Sequence, residues 1–457
     1  MNETVTSTSG SSASVWQTLR NSLTLHTIIV GLLILLMLIP LFMVEGVVRE
    51  RNHYQQQVLD EVAATWGGQQ TLNGPFLVIP YIEHITSVDT VTNNKGEDSV
   101  VTKDIFNNHT VVILPDTLDI KAEIEEEHRK RGIYDALVYT TKATVSGTFD
   151  HEFLLEGGEG DRRILWEKVF VMFGLSDTKA MNSGATFTWD ADQTDLQPGT
   201  RLPQLLSQGF HIPLDETTSN DTKHDFKLEF ELRGSKGLFF TPLGKTTTAE
   251  MSSGWEHPSF QGDLLPEKHD ITDEGFTASW DIPNLARSYP QYWWLEDEVK
   301  YDPGYFTAGV SLYEPVSLYS QVERAVKYGI LFVALTFLTF FAFEIAGGSR
   351  LHVLQYGLIG FALALFYLIL LSLAEHLPFE QAYIAATAAV VGMIWIYAWA
   401  VLRSFWKGLF ILLVLGGLYY LLFLILQMED YALLAGTGLL VFATLMMMFV
   451  TRNSRLS

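Results

Sequence analysis

There is no cysteine in this chain of 457 residues. Disulfides, thiolate nucleophiles and thiolate zinc sites are therefore excluded, and any domain outside a membrane stands on its apolar core alone. Basic residues are also scarce, with 30 Lys and Arg against 52 Asp and Glu and a net charge of −22. Residues 45–325 account for this excess, holding 23 basic and 46 acidic side chains, a net charge of −23. An acidic surface repels phosphate and anionic headgroups, which argues against nucleic acid and against a polybasic lipid-docking role. At about 280 residues this region is long enough to bury a core of its own.

What the chain does have is six long apolar runs, at 23–44, 325–343, 353–374, 379–402, 408–426 and 431–450. Each is close to the roughly 20 residues that take a helix across a bilayer core about 30 Å thick. The short connections alternate in character. Arg20, Arg350, Arg403, Lys407, Arg452 and Arg455 fall on one side, and Glu375, His376, Glu380, Glu429 and Asp430 on the other. Lys and Arg are retained on the side of insertion, so both termini are expected in the cytoplasm and the long middle segment outside. Arg49 and Arg51 run against the pattern, but long segments translocate largely regardless of charge. The first run is read as an uncleaved anchor. It exceeds the roughly 7–15 residues of a signal core, and Val44-Glu45-Gly46-Val47-Val48-Arg49 offers no small-x-small cleavage site.

The chain thus divides into a disordered cytoplasmic tail (1–22), an anchor (23–44), an outer domain (45–324), a five-helix bundle (325–450) and a second cytoplasmic tail (451–457). Val48, Val58, Val62 and Trp66 recur at near-helical spacing before Gly67-Gly68, which predicts a juxtamembrane helix over 45–66. From Gly74 the period becomes two. In residues 224–233, Phe226, Leu228, Phe230 and Leu232 alternate with charged neighbours, and Leu137, Tyr139, Ala143, Val145 and Phe149 repeat the pattern. Further strands are expected at 76–80, 110–114, 118–124, 168–173, 186–189 and 276–280, between Gly, Pro, Asn and Asp clusters. Many short one-sided strands predict an antiparallel sandwich or open barrel. Trp280, Trp293 and Trp294 admit two placements, the β core or a membrane surface.

Several long stretches of the chain read as motifs in their own right. They begin with Glu50-Arg51 and Tyr54, then residues 66–75 (Trp66-Gly67-Gly68-Gln69-Gln70-Thr71-Leu72-Asn73-Gly74-Pro75) and 77–81. Arg131-Gly132-Ile133-Tyr134, residues 253–266 and residues 275–280 follow. In the apolar part they run through 328–332 and 336–344, Leu351-His352, Gln355-Tyr356, 366–368 and 373–376, and end at 449–453. Together these stretches resemble the CreD family of bacterial inner-membrane proteins, and the resemblance implies a protein of cell envelope integrity, often produced under a two-component system that answers envelope or cell-wall stress. It implies no reaction and carries over no catalytic residues.

Isolated motifs do not add one. Ser176-Asp177-Thr178-Lys179 has the spacing of a penicillin-recognising Ser-x-x-Lys, but its nearest companion is Lys245-Thr246-Thr247 rather than Lys-Thr-Gly. Gly244-Lys245-Thr246 lacks the earlier glycine of a phosphate loop, Phe239 standing there. Glu256, His257 and Asp263 suit zinc or manganese as residue types. Pro258, Gly262 and Pro266 equally suit a turn carrying Trp255 and Phe260 into a core. No ionisable residue stands at mid-depth of an apolar run. Glu344 falls at one end of the second run, and Glu375 and His376 follow the third. Pro40 bends the first run and Gly416-Gly417 loosens the fifth, without the paired breaks of a transporter. Ala385, Ala388, Ala389 and Gly392 permit close helix contact, expected within the chain's own bundle or with a partner helix.

The sequence therefore predicts six transmembrane helices, one before and five after an antiparallel β-rich periplasmic domain. It assigns no catalytic, metal or cofactor residues. Expected partners are the lipid bilayer and an envelope protein or cell-wall component, with no nucleic acid. A non-enzymatic envelope-stress protein fits best. The alternatives are a transporter or flippase for a lipid or cell-wall fragment, which needs a polar cavity among the helices, and an envelope-modifying hydrolase, which needs ligands converging near His257.

Overall fold

The computed structural model describes residues 23–92, 98–154, 161–182, 184–214, 222–297, 301–312, 318–347, 351–427 and 432–451. The expected tails and the side chains of Arg20, Arg350, Glu429, Asp430, Arg452 and Arg455 lie outside them. The chain forms two compact units, one from residues 1–56 and 316–457, the other Gln57–Pro315.

The first unit is helical. Helices α1 (Leu23–Leu36) and α2 (Leu38–Trp66) are separated at Met37. Pro40 has no N–H to give Leu36, so the hydrogen-bond ladder lapses there. Helices α3 (Leu318–Gly347), α4 (Val353–Ala374), α5 (Phe379–Leu402), α6 (Phe405–Gln427) and α7 (Ala432–Thr451) follow. Among the described residues five stretches are long and apolar enough to cross a membrane: 27–66, 318–344, 353–374, 379–402 and 405–427. Helix α4 starts with a capping box, in which His352 accepts from Leu354 N and Gln355 accepts from His352 N. Phe337, Phe340, Tyr356, Phe366 and Tyr367 are fully buried among these helices. Gly360 makes room for the kinked first span, since a Cβ there would lie 2.6 Å from Met37 Sδ. The expected small-residue contact within the bundle is not made by Ala385, Ala388 and Ala389, which are exposed. The inward stripe of α5 is Ala382, Ala386, Val390 and Ile394, following the four-residue spacing of one helix face.

The second unit opens with the last turns of α2 and is otherwise built of strands. These are β1 (Gln70–Thr92), β2 (Asp98–Ile113), β3 (Thr117–Arg131), β4 (Tyr134–Asp150), β5 (Asp161–Ile164), β6 (Phe170–Leu175), β7 (Thr186–Trp189), β8 (Asp192–Thr194), β9 (Gln197–Pro198), β10 (Gly209–Pro213), β11 (Lys223–Ser235), β12 (Gly237–Phe240), β13 (Thr246–Ser253), β14 (Pro258–Gly262), β15 (Lys268–Thr272), β16 (Gly275–Pro283), β17 (Tyr292–Trp294) and β18 (Ala308–Leu312). One sheet has ten strands and runs β14-β18-β12-β1-β6-β10-β9, with β2, β5 and β17 attached beside it. The other has eight, in the order β15-β16-β13-β3-β4-β11-β7-β8. Pairing is antiparallel except β1 with β12 and β3 with β13, which are parallel.

The two sheets share one core. Phe240 of the first meets Trp280 of the second edge-on at 5.6 Å, and Tyr139 Oη of the second donates to Gly237 O of the first at 2.8 Å. Trp280 and Trp293 are buried and Trp294 packs against the same cluster, so the tryptophans belong to the β core. Strand β11 alternates buried and exposed along most of its length, as its sequence does. The strand expected at 168–173 begins later, because Trp166–Lys168 turn as a 3-10 helix before β6. Sheet pairing is tight at Gly147, where a Cβ would lie 1.9 Å from Thr117 O. The end of α2 seals on β4. Val62 packs with Ala136 and Val138, and the guanidinium groups of Arg129 and Arg233 lie over the Trp66 ring at 4.1 Å and 5.0 Å.

Candidate functional site

The segment Glu123-Ile124-Glu125-Glu126-Glu127 places Ile124 inward and Glu123 and Glu125 outward on β3. Pairing of β3 with β13 ends at Ile124 opposite Ser253, and from there the β3–β4 hairpin runs on alone. The turn joining β15 to β16 closes the opposite side. Between them lies an open cleft of about 450 Å³, lined by five carboxylates (Glu123, Glu125, Glu126, Asp270 and Glu274) and by the hydroxyls of Ser252, Ser253, Thr272 and Thr277. Its floor is set by Gly254, where a Cβ would meet Glu126 Oε1 at 2.8 Å. Ser253 Oγ donates to Glu126 Oε2 at 3.2 Å and accepts from Trp255 N. A smaller recess of about 210 Å³ continues along β15, sharing Asp270 and Thr277 and adding Glu250, Lys268 and His269.

Five carboxylates on one open cleft make a negative field in a chain that is already acidic. Lys142 Nζ lies 2.9 Å from Glu125 Oε1, and that hydrogen bond, with the nearby Glu123 carboxylate adding to it, raises the Lys142 pKa. None of the residues lining the main cleft is a histidine, and the Ser253 hydroxyl faces a carboxylate as donor. The arrangement attracts cationic groups and offers them hydroxyl partners. It holds no nucleophile paired with a base of the triad kind.

The residues that sequence spacing singled out are not brought together. Glu256 and His257 are exposed, Trp255 donates its Nε1–H to His257 O at 3.1 Å, and Asp263 ties down the β18 approach by accepting from Thr307 N at 2.9 Å. Asp177 caps a 3-10 turn through Lys179 N, and Ser176 Oγ accepts from Thr71 N at 3.0 Å. Gly244 N donates to Thr247 Oγ1 in a turn. Among the described residues, no group of three or more His, Asp or Glu is placed to hold a metal ion. The segment 123–127 is legible as a charge run. What it lacks in the sequence is its company, since Asp270 and Glu274 arrive through β13 and β16.

In the helical unit, Glu344 is 8% exposed and accepts from Tyr356 Oη at 3.1 Å. Glu375 accepts from Tyr319 Oη at 3.1 Å and lies 3.7 Å from Arg51 Nε. Tyr383 Oη donates to Tyr419 O at 2.6 Å. A recess of about 230 Å³ in this unit is lined by Leu358, Ile359, Phe361, Ala362, Leu365, Met393, Ile394 and Tyr397 and is almost wholly apolar.

Comparison with known proteins places these features. The chain is 33% identical over 420 residues to the inner membrane protein CreD of Escherichia coli strain K12, covering 92% of this chain and 90% of that one. Parts of solved structures also align, an M1 zinc metallopeptidase from Deinococcus radiodurans and a mutant of it bound to a Tyr-Ser-Ala substrate. Both are 8% identical over 37% of this chain, covering 38% and 39% of theirs, with TM-scores of 0.18 and 0.17. Likenesses that slight carry no argument about fold or chemistry. The family profile described as inner membrane protein CreD matches residues 22–456, and the chain, with its several apolar helices, belongs to that family of multi-pass inner-membrane proteins.

Proposed function

We propose that the protein is a non-enzymatic component of envelope integrity and the envelope-stress response. In this reading six helices cross the inner membrane, α7 being the last, both tails are cytoplasmic and the β unit is periplasmic. There its acidic cleft contacts an envelope component that presents basic groups. The cleft carries the proposal. It is open, polar and strongly anionic, and its chemistry suits recognition rather than bond cleavage. Family membership supports the envelope setting.

A transporter requires polar groups around a path through the helices. The recess described in the helical unit is apolar instead. A hydrolase centred on His257 requires convergent ligands, and Glu256 and His257 stand exposed while Asp263 is engaged with backbone.

The test is photo-crosslinking in cells from Thr272 at the rim of the cleft, with and without the triple change Glu123→Gln, Asp270→Asn and Glu274→Gln. These side chains are exposed, so the fold is expected to change by no more than about 0.5 kcal/mol. The triple variant is expected to lose its crosslinked partner about tenfold, and raised salt to weaken the parent's adduct. Identical adducts from both proteins, insensitive to salt, would refute the proposal.

A further inference from the structure

Away from the cleft, four rings form a column at one end of the eight-stranded sheet. Trp166 meets His151 edge-on at 5.7 Å, His151 stacks on His224 at 5.4 Å with 6° between the rings, and His224 stacks on Trp189 at 5.0 Å. Both imidazoles are buried, His151 at 1% exposure and His224 at 3%. They are 73 positions apart in sequence and meet because β4 and β11 pair in register up to Asp150 opposite Lys223. His151 N then donates to Thr222 O at 3.0 Å.

The two imidazoles have unequal support. His224 Nδ1 lies 2.9 Å from Asp190 Oδ2, and Asp190 is fixed in a left-handed turn (φ 51°) by exchanging backbone and side-chain hydrogen bonds with Asp225. His151 Nδ1 is buried with no hydrogen-bond partner among the described residues, as is Trp189 Nε1. Among the described residues, few charged groups surround the column. From β4 there is Asp150, already engaged with Glu152 N at 2.9 Å and with Lys223 Nζ at 3.4 Å. Glu167 and Lys168 beside Trp166 are exposed, as are Asp192 of β8 and Lys223 and Asp225 of β11. His224 has Asp190 against its Nδ1, whereas a proton on His151 would sit in a buried stack with, among the described residues, only the committed Asp150 to offset it.

We propose that the stacked His151–His224 pair is an acid-sensitive latch: taking up a proton at His151 parts the rings and frees the end of the sheet where β4, β11 and the β7–β8 turn meet. The closed column with His151 neutral and the opened one with His151 protonated are the two states, and proton concentration selects between them. The latch does not depend on which component the acidic cleft takes.

The experiment is hydrogen exchange read by mass spectrometry on the full chain in lipid nanodiscs, from pH 7.5 to pH 4, corrected for intrinsic exchange rates. Peptides covering 148–154, 186–192 and 222–228 are expected to exchange about tenfold faster at the acid end, while β13 and β16 keep their protection. His151→Phe keeps a ring in the stack and removes the site that takes up the proton, so its peptides are expected to stay protected over the same range. If that variant does not fold, His151→Gln and direct titration of isotope-labelled histidines in the parent chain replace it, with one buried imidazole expected to resist protonation until the peptides open. Unchanged exchange at the three peptides overturns the proposal. So does an equal rise in His151→Phe, or a rise spread evenly over the whole β unit.

Discussion

Phe240→Ala is expected to destabilise the β unit by about 3–5 kcal/mol, the range for deleting a buried aromatic ring. Phe240 has no solvent exposure and stands where the two sheets meet, its ring edge-on to Trp280. Trp280 in turn packs against Phe260 at 6.2 Å and donates Nε1–H to Leu264 O at 3.3 Å, so a void at 240 removes contacts on both sheets. Two sheets packed face to face cannot close a gap without moving strands, and the ladder through β12 and β18 resists that movement. With no disulfide available, nothing covalent offsets the loss. Thermal unfolding or limited proteolysis of the full chain measures it. A loss below 1 kcal/mol would mean that the two sheets do not share the core described.

Acid is expected to cost the same unit about 3 kcal/mol, most of it through His151. An imidazole in the unfolded chain takes up its proton near pH 6.5. Burial, and after it the neighbouring His224, pull the folded value down to about 4, with Asp150 acting weakly in the other direction. Between those limits the unfolded chain binds the extra proton and the folded one does not. Stability is therefore complete above about pH 6.5 and falls as pH drops towards about 4. Denaturant midpoints taken across that interval check the sign. His151→Phe is expected to flatten the slope, and a parent midpoint that stayed level from pH 7 to pH 4 would contradict the assignment.

Much of this architecture was legible because hydrophobic period and length are local properties. Residues 224–233 announce β11 by strict alternation, and the apolar runs announce α4 and α5 at the boundaries observed. Other features depend on distant partners. β1 extends from Gln70 to Thr92, far beyond 76–80, because β12 and β6 pair with its first residues and β2 with the rest as far as Asp98, and polar positions such as exposed Thr86 and half-buried Ser87 give no local sign of that. The parallel pairs of β1 with β12 and β3 with β13 leave no period of their own. The outward turn of Ala385, Ala388 and Ala389 was hidden for a related reason, since nearly every face of α5 is apolar and only packing selects the inner one.

The acidic cleft was half visible. Glu123, Glu125 and Glu126 read as a charge run, which in most chains is a solvated face, and only the register of β13 and the β15–β16 turn makes it a wall. The histidine column was not visible at all. Neither His151 nor His224 sits in a motif, and their encounter follows from a strand pairing.

Which compartment holds the β unit is directly measurable, because the chain has no native cysteine. Single substitutions Asn108→Cys, exposed on β2, and Arg403→Cys, between α5 and α6, would be treated in spheroplasts with a maleimide that cannot cross membranes. With the β unit periplasmic, Asn108→Cys is expected to be tagged at once and Arg403→Cys only after the membrane is broken. Tagging of Arg403→Cys from outside, with Asn108→Cys spared, would contradict that placement.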